Sequence, residues 1–143
     1  MSTLIVLVGP TGVGKTAVSI QIAQHLNSPI MNVDSRQLYR EIPIGTAAPT
    51  AIEQRTVRHY FVGTQTITDY YSAAQFETEA LRVAQTYFEN GGKMLLASGG
   101  SMLYIDALCK GIDDIPTIDA ETRELLRQKL AHQGLAELTK ELQ

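Results

Sequence analysis

Tryptophan is absent from the 143 residues, cysteine occurs once, and aromatic residues make up 6% of the chain. A lone Cys109 permits no internal disulfide and no cysteine-based metal cluster, so a reducing, cytoplasmic setting is expected. No apolar run approaches the roughly 20 residues that span a bilayer, and no membrane partner is expected. The six-residue run "TLIVLV" has no basic region before it and leads straight into glycines, which marks a strand and not a signal peptide. A basic excess is missing too. The net charge is -3, unlike the strongly basic balance common among nucleic-acid binders. The charge is uneven: residues 1–60 hold five Lys/Arg against three acids, and residues 61–116 hold three against seven. His25, His59 and His132 are too far apart in sequence to suggest a metal site, and each is expected on a helix surface or strand edge. Neither N-K-x-D nor D-x-x-G occurs, which argues against a GTP switch.

What is present is an alternation of short apolar runs with helix-period stretches, the order of an α/β fold. Strands are expected at 3–8, 29–33 and 93–97, with a fourth candidate at 59–63. A helix is expected over 15–26. Ser72 and Gln75 have capping-box spacing before Phe76, Ala80, Val83, Ala84 and Tyr87, which recur at helical intervals. "SGGS" (98–101) turns the last strand into "MLYIDALC", and Asp119 caps a helix through Leu130 that Gly134 ends. The reading is a P-loop NTPase-like parallel sheet flanked by helices. The final "LAELTKELQ" has helical spacing with no stop signal and no further strand, so a truncated or partly ordered form of a longer chain is expected.

Residues 9–16, "GPTGVGKT", fit G-x-x-x-x-G-K-[ST] between a strand and a helix. Gly9, Gly12 and Gly14 let successive N–H groups turn inward on phosphate oxygens, while Pro10, Thr11 and Val13 complete the loop. Lys15 brings a point charge to the outer phosphates and Thr16 a hydroxyl for Mg²⁺. Asp34 ends the second apolar run, at the sheet edge where open α/β folds bind ligands. It could hold Mg²⁺ through water, act as a general base on an acceptor, or cap a helix over "RQLYREI". Ser35, Arg36 and Gln37 follow it, Arg36 and Gln37 offering donors suited to phosphate and to a base edge.

"GPTGVGKT", "NVDSRQLYREIPIGTAAP", "DYYSAAQF" and "LLASGGSMLYIDAL", in that order, resemble the N-terminal half of the tRNA dimethylallyltransferases, also called tRNA isopentenyltransferases. The resemblance runs to about Arg123. It implies that the loop holds the diphosphate of dimethylallyl diphosphate, with Thr11 to Thr16 on the donor. Pyrophosphate would leave as the prenyl group moves to the N6 amine of an adenine beside the tRNA anticodon. Asp34 to Gln37 would face tRNA, with Ser101 and Arg123 near the target nucleotide. Asp34 as base, Lys15 on the leaving group and Ser101 are the expected catalytic residues, Mg²⁺ the cofactor, and a monomer the expected state. Residues 1–116 would form the P-loop core and 117–143 the start of a helical, tRNA-facing insertion.

The chain departs from the family at Ser101, where threonine is usual, and at Ala48, where lysine is usual. Family members are about twice as long, and their later pyrophosphate-gripping arginine and basic surfaces have no counterpart here. A P-loop small-molecule kinase is the rival, with Asp34 as base on a hydroxyl and Arg123 and Arg127 as a phosphate clamp. The bland alternative for that pair is an exposed helix face beside Glu121 and Glu124. A non-catalytic nucleotide-binding fragment is the third reading.

Overall fold

The computed structural model describes residues 1–112 and 118–142. The chain divides into two compact units, Met1–Ile112 and Asp113–Gln143. The boundary expected between residues 116 and 117 lies outside the described residues.

The first unit is built on four parallel strands: β1 (Thr3–Val8), β2 (Ile30–Asn32), β3 (His59–Tyr60) and β4 (Met94–Gly99). Their order in the sheet is β1-β4-β2-β3, so β4 lies between the strand that leads into the glycine loop and the strand that leads to Asp34. Register runs from Thr3 opposite Met94 to Val8 opposite Gly99, and Asn32 stands opposite Ser98. The helices are α1 (Lys15–Leu26), α2 (Ala51–Thr56), α3 (Ala73–Glu89) and α4 (Met102–Lys110).

Side chains alternate across the pleat, so one strand serves two cores. On one face Met31, Val33, Leu95 and Ala97 pack with Phe76 and Ala80 of α3 and with Tyr104, Ile105 and Leu108 of α4. On the other, Ile30 and Leu96 meet Ala23 of α1 and Val57. Phe76 is fully buried, its ring stacked on Tyr104 at 4.7 Å and edge-on to Phe61 at 5.2 Å. Burying such a ring contributes roughly 1.5–3 kcal/mol. The Ser72 capping box forms as the spacing requires, Ser72 Oγ accepting from Gln75 N and Gln75 Oε1 from Ser72 N.

Three elements differ from the sequence reading. The run at 59–63 yields a two-residue strand, because Phe61 takes a left-handed φ of 61° that no ladder continues, and its carbonyl accepts Asn32 Nδ2 at 2.9 Å. Helix α2 was not expected, although Thr50 and Glu53 form a full capping box. "SGGS" is less a turn than the end of β4, which runs on to Gly99.

In the second unit α5 spans Ala120–Glu141, and Gly134 (φ 78°) breaks it where the sequence places a stop. Asp119 caps it, accepting from Thr122 N at 2.6 Å. Lys129 and Glu141 pair across the break. Among the described residues no helix is long and apolar enough to cross a membrane.

Candidate active site

The glycine loop leaves β1 at Val8 and enters α1 through Gly14. Gly12 and Gly14 stand at φ 83° and 89°, conformations that a Cβ would strain. No side chain caps α1. Its first-turn N–H groups are therefore left to a ligand, and the helix dipole adds partial positive charge at the same point. Lys15 Nζ donates to the Pro10 carbonyl at 2.6 Å, which folds the ammonium back over the loop.

Asp34 follows the end of β2 and is partly buried. One carboxylate oxygen, Oδ1, accepts from Arg36 N at 3.0 Å and Gln37 N at 3.4 Å. That is the hydrogen-bond pattern of a cap, yet turns follow and no helix does, so of the three roles open to Asp34 the cap of a helix over "RQLYREI" is not the one found. Arg36 is exposed. Gln37 Nε2 donates to the Thr46 and Ala47 carbonyls at 3.1 and 3.2 Å.

The end of β4 joins the two halves. A Cβ on Gly99 would sit 2.0 Å from the Val33 carbonyl oxygen, and one on Gly100 would sit 3.1 Å from the Gly9 carbonyl and 3.9 Å from Lys15 Nζ. Hydrogen at these positions lets the Asp34 strand and the phosphate loop close on β4 from opposite sides. Ser101 Oγ accepts from Ser35 N at 2.8 Å and donates to Ser35 Oγ at 3.0 Å. Its position is the N-cap of α4, but its hydroxyl clamps the Asp34 loop instead of the helix.

A narrow cleft is lined by Lys15, Thr16, Asp34 and Gln37 together with Asn32, His59 and Ser98. The structure thus brings Lys15 and Thr16 of the phosphate loop onto one cleft with Asp34 and Gln37. Arg123 belongs to the second unit, where its Nε donates to the Ile118 carbonyl at 3.4 Å. Arg127 lies 3.9 Å from Glu124 with both side chains well exposed, the surface pair of the bland reading.

His59, Asn32 and Ser98 were missed as cleft residues. Asn32 and Ser98 were signalled by polar side chains inside the apolar runs "IMNV" and "LLAS". His59 carried no such signal; its Nδ1 lies 2.8 Å from the Val57 carbonyl, which makes it the donor, and burial holds its pKa below the usual value. No cluster of three metal-ligating side chains occurs among the described residues. The hydroxyl of Thr16 and the uncommitted oxygen of Asp34 are hard oxygen donors on one cleft, a set that suits Mg²⁺ completed by water and phosphate oxygens.

The model of the family described as IPP transferase matches residues 37–143. The chain belongs to this family. It is 59% identical over 140 residues to tRNA dimethylallyltransferase 1 of Bacteroides fragilis, covering 98% of this chain and 46% of that protein. Against tRNA dimethylallyltransferase 1 of Bacteroides thetaiotaomicron it is 54% identical over 142 residues, covering 99% and 46%. The full-length tRNA isopentenylpyrophosphate transferase of Bacillus halodurans superposes with a TM-score of 0.75 at 31% identity, covering 99% of this chain and 47% of the other. A eukaryotic dimethylallyltransferase described as acting on tRNA gives 0.73 at 30% identity, covering 88% and 32%. The chain spans about half the length of the curated relatives it matches.

Proposed function

We propose that this chain forms the donor-binding and acceptor-activating part of a tRNA dimethylallyltransferase. Such an enzyme moves the prenyl group of dimethylallyl diphosphate to the N6 amine of an adenine beside the anticodon and releases pyrophosphate. The observation that carries this is the meeting of the phosphate loop and Asp34 on one cleft, in a chain whose relatives bear that name.

The barrier lies in breaking an allylic C–O bond, so the main task is to stabilise charge growing on the leaving diphosphate. Loop N–H groups and Lys15 do this, the ammonium exchanging its bond to the Pro10 carbonyl for phosphate oxygen. Thr16, with water and phosphate oxygens, would hold Mg²⁺, which would supply further neutralisation of that charge. The attacking amine must shed a proton, and the Asp34 oxygen not engaged by Arg36 N and Gln37 N accepts it. The clamp from Ser101 to Ser35 fixes that carboxylate, and an adenine stacked in its loop reaches it by flipping out. Arg123 is assigned to the target nucleotide, the reaction to the cytoplasm and the working unit to a monomer. A kinase is disfavoured because the relatives are named dimethylallyltransferases, and Arg127 of the pair proposed to clamp phosphate lies beside Glu124 with both side chains exposed.

The test is to incubate this chain, and the protein at the length of its relatives, with dimethylallyl diphosphate, Mg²⁺ and an anticodon stem-loop, then digest and look for prenyl-adenosine by mass. Product is expected from the longer form and little or none from 143 residues. Phosphorylation of a metabolite by ATP without prenyl product would reverse the assignment.

A further inference from the structure

Ile44 is 95% exposed, although the loop that carries it is firmly tied. Thr46 N and Oγ1 both donate to the Ile42 carbonyl, at 3.2 and 2.9 Å; Ala47 N donates to the Ile44 carbonyl at 3.1 Å and Ala48 N to the Pro43 carbonyl at 2.9 Å. Thr46 is buried beneath. A flexible tip could fold an isoleucine back onto the protein; this bonded loop holds it out in water, where it forfeits the gain of burial.

The loop is also fastened to the acceptor side of the cleft. Gln37 Nε2 holds its Thr46 and Ala47 carbonyls, and Gln37 N is held by Asp34 Oδ1. Pro49, where the loop ends, lines the cleft beside Asp34. Ile44 and the carboxylate therefore share one hydrogen-bonded frame. Exposed Arg36 and Arg40 on the same segment supply the charge that a phosphate backbone would meet.

We propose that Ile44 is an apolar wedge that enters the anticodon loop when the target adenine is drawn out toward Asp34, packing against the base beside the gap. This rests on the function proposed above. A base acted on in a pocket must leave its stack, and isoleucine is among the side chains that nucleic-acid binders insert between bases to hold a stack open. The commitment is to RNA, because the loop is joined to the residue that would take the proton from the adenine amine.

The experiment uses the protein at the length of its relatives and an anticodon stem-loop with 2-aminopurine in place of the target adenine, whose fluorescence rises on unstacking. Wild type is expected to show the rise and to prenylate the unmodified stem-loop. Ile44→Ala is expected to lose most of the rise and to lower kcat about tenfold, with donor affinity and melting temperature unchanged, while Ile44→Leu restores both. If wild type prenylates the stem-loop and Ile44→Ala matches it in rate and fluorescence, the wedge is wrong and the enzyme assignment stands. A fall in melting temperature with the fluorescence rise intact would make Ile44 a packing residue and overturn the wedge as well. If wild type makes no prenyl-adenosine, both readings fall.

Discussion

The hydroxyl of Ser101 accepts the Ser35 N–H at 2.8 Å and donates to Ser35 Oγ at 3.0 Å, joining the start of α4 to the loop that carries Asp34. Removing it leaves the Ser35 N–H without this partner and frees the loop to shift. Ser101→Ala is expected to lower turnover on a stem-loop about tenfold or more while leaving donor affinity intact, since small misplacements of a catalytic group are costly. Ser101→Thr, which keeps the hydroxyl, is expected to restore it. Steady-state rates beside calorimetric donor binding separate the two effects.

Asp34 has two tasks that can be pulled apart. Its Oδ1 organises the turn through Arg36 N and Gln37 N, and its other oxygen is assigned the proton. Asp34→Ala is expected to cost turnover about 10²-fold or more with donor binding kept. Asn at the same position retains an acceptor for the turn; it is expected to recover the melting temperature lost in the alanine variant and to recover none of the rate. Near-normal turnover in either variant would end the general-base assignment.

Gly99 tests the close approach of β4 to β2. A methyl group there would lie 2.0 Å from the Val33 carbonyl oxygen, which is backbone and cannot rotate away. Gly99→Ala is expected to destabilise the protein by more than about 3 kcal/mol, read as a shift in the urea unfolding midpoint. An unchanged midpoint would show that the strands have slack.

His59 makes a pH-dependent prediction. Burial lowers its pKa from the ordinary 6.5, with the bond to Val57 and the charge of Glu53 opposing more weakly. A histidine that resists protonation when folded binds fewer protons than its unfolded counterpart. Stability therefore falls as pH drops below about 6.5, until the folded ring is itself protonated. Urea midpoints at pH 7.5 and pH 5 are expected to differ less in His59→Gln than in wild type. Equal pH dependence of the two would exclude a burial penalty at this ring.

Periodicity and caps made most of the frame legible. "TLIVLV" gave a parallel strand, though an edge one only partly buried; Ser72 and Gln75 announced α3, and Gly134 marked the break in α5. Two misses came from conformations that composition does not encode. Phe61 adopts a left-handed φ with a bulky side chain, and Gly99 is required by a neighbouring strand 66 positions away and not by a turn of its own. Helix α2 was legible in principle, since T-x-x-E stands at 50–53, but six residues carry too little periodicity to draw notice. In the site, residue types revealed the phosphate loop and Asp34. They did not reveal that Gln37 serves the Ile44 loop, because an amide shows nothing of its partner until distant carbonyls are brought beside it.

The placing of β4 sets a distance. The glycine loop hangs from β1 and the carboxylate from β2, and two inter-strand steps of a parallel sheet separate them by about 10 Å. The sheet thus works as a ruler between the phosphate anchor and the carboxylate proposed to take the proton from the attacking amine. Helices can tilt and loops can drift, but hydrogen-bonded strand spacing is nearly invariant, so the anchor and the carboxylate keep their separation whatever fills the space between them.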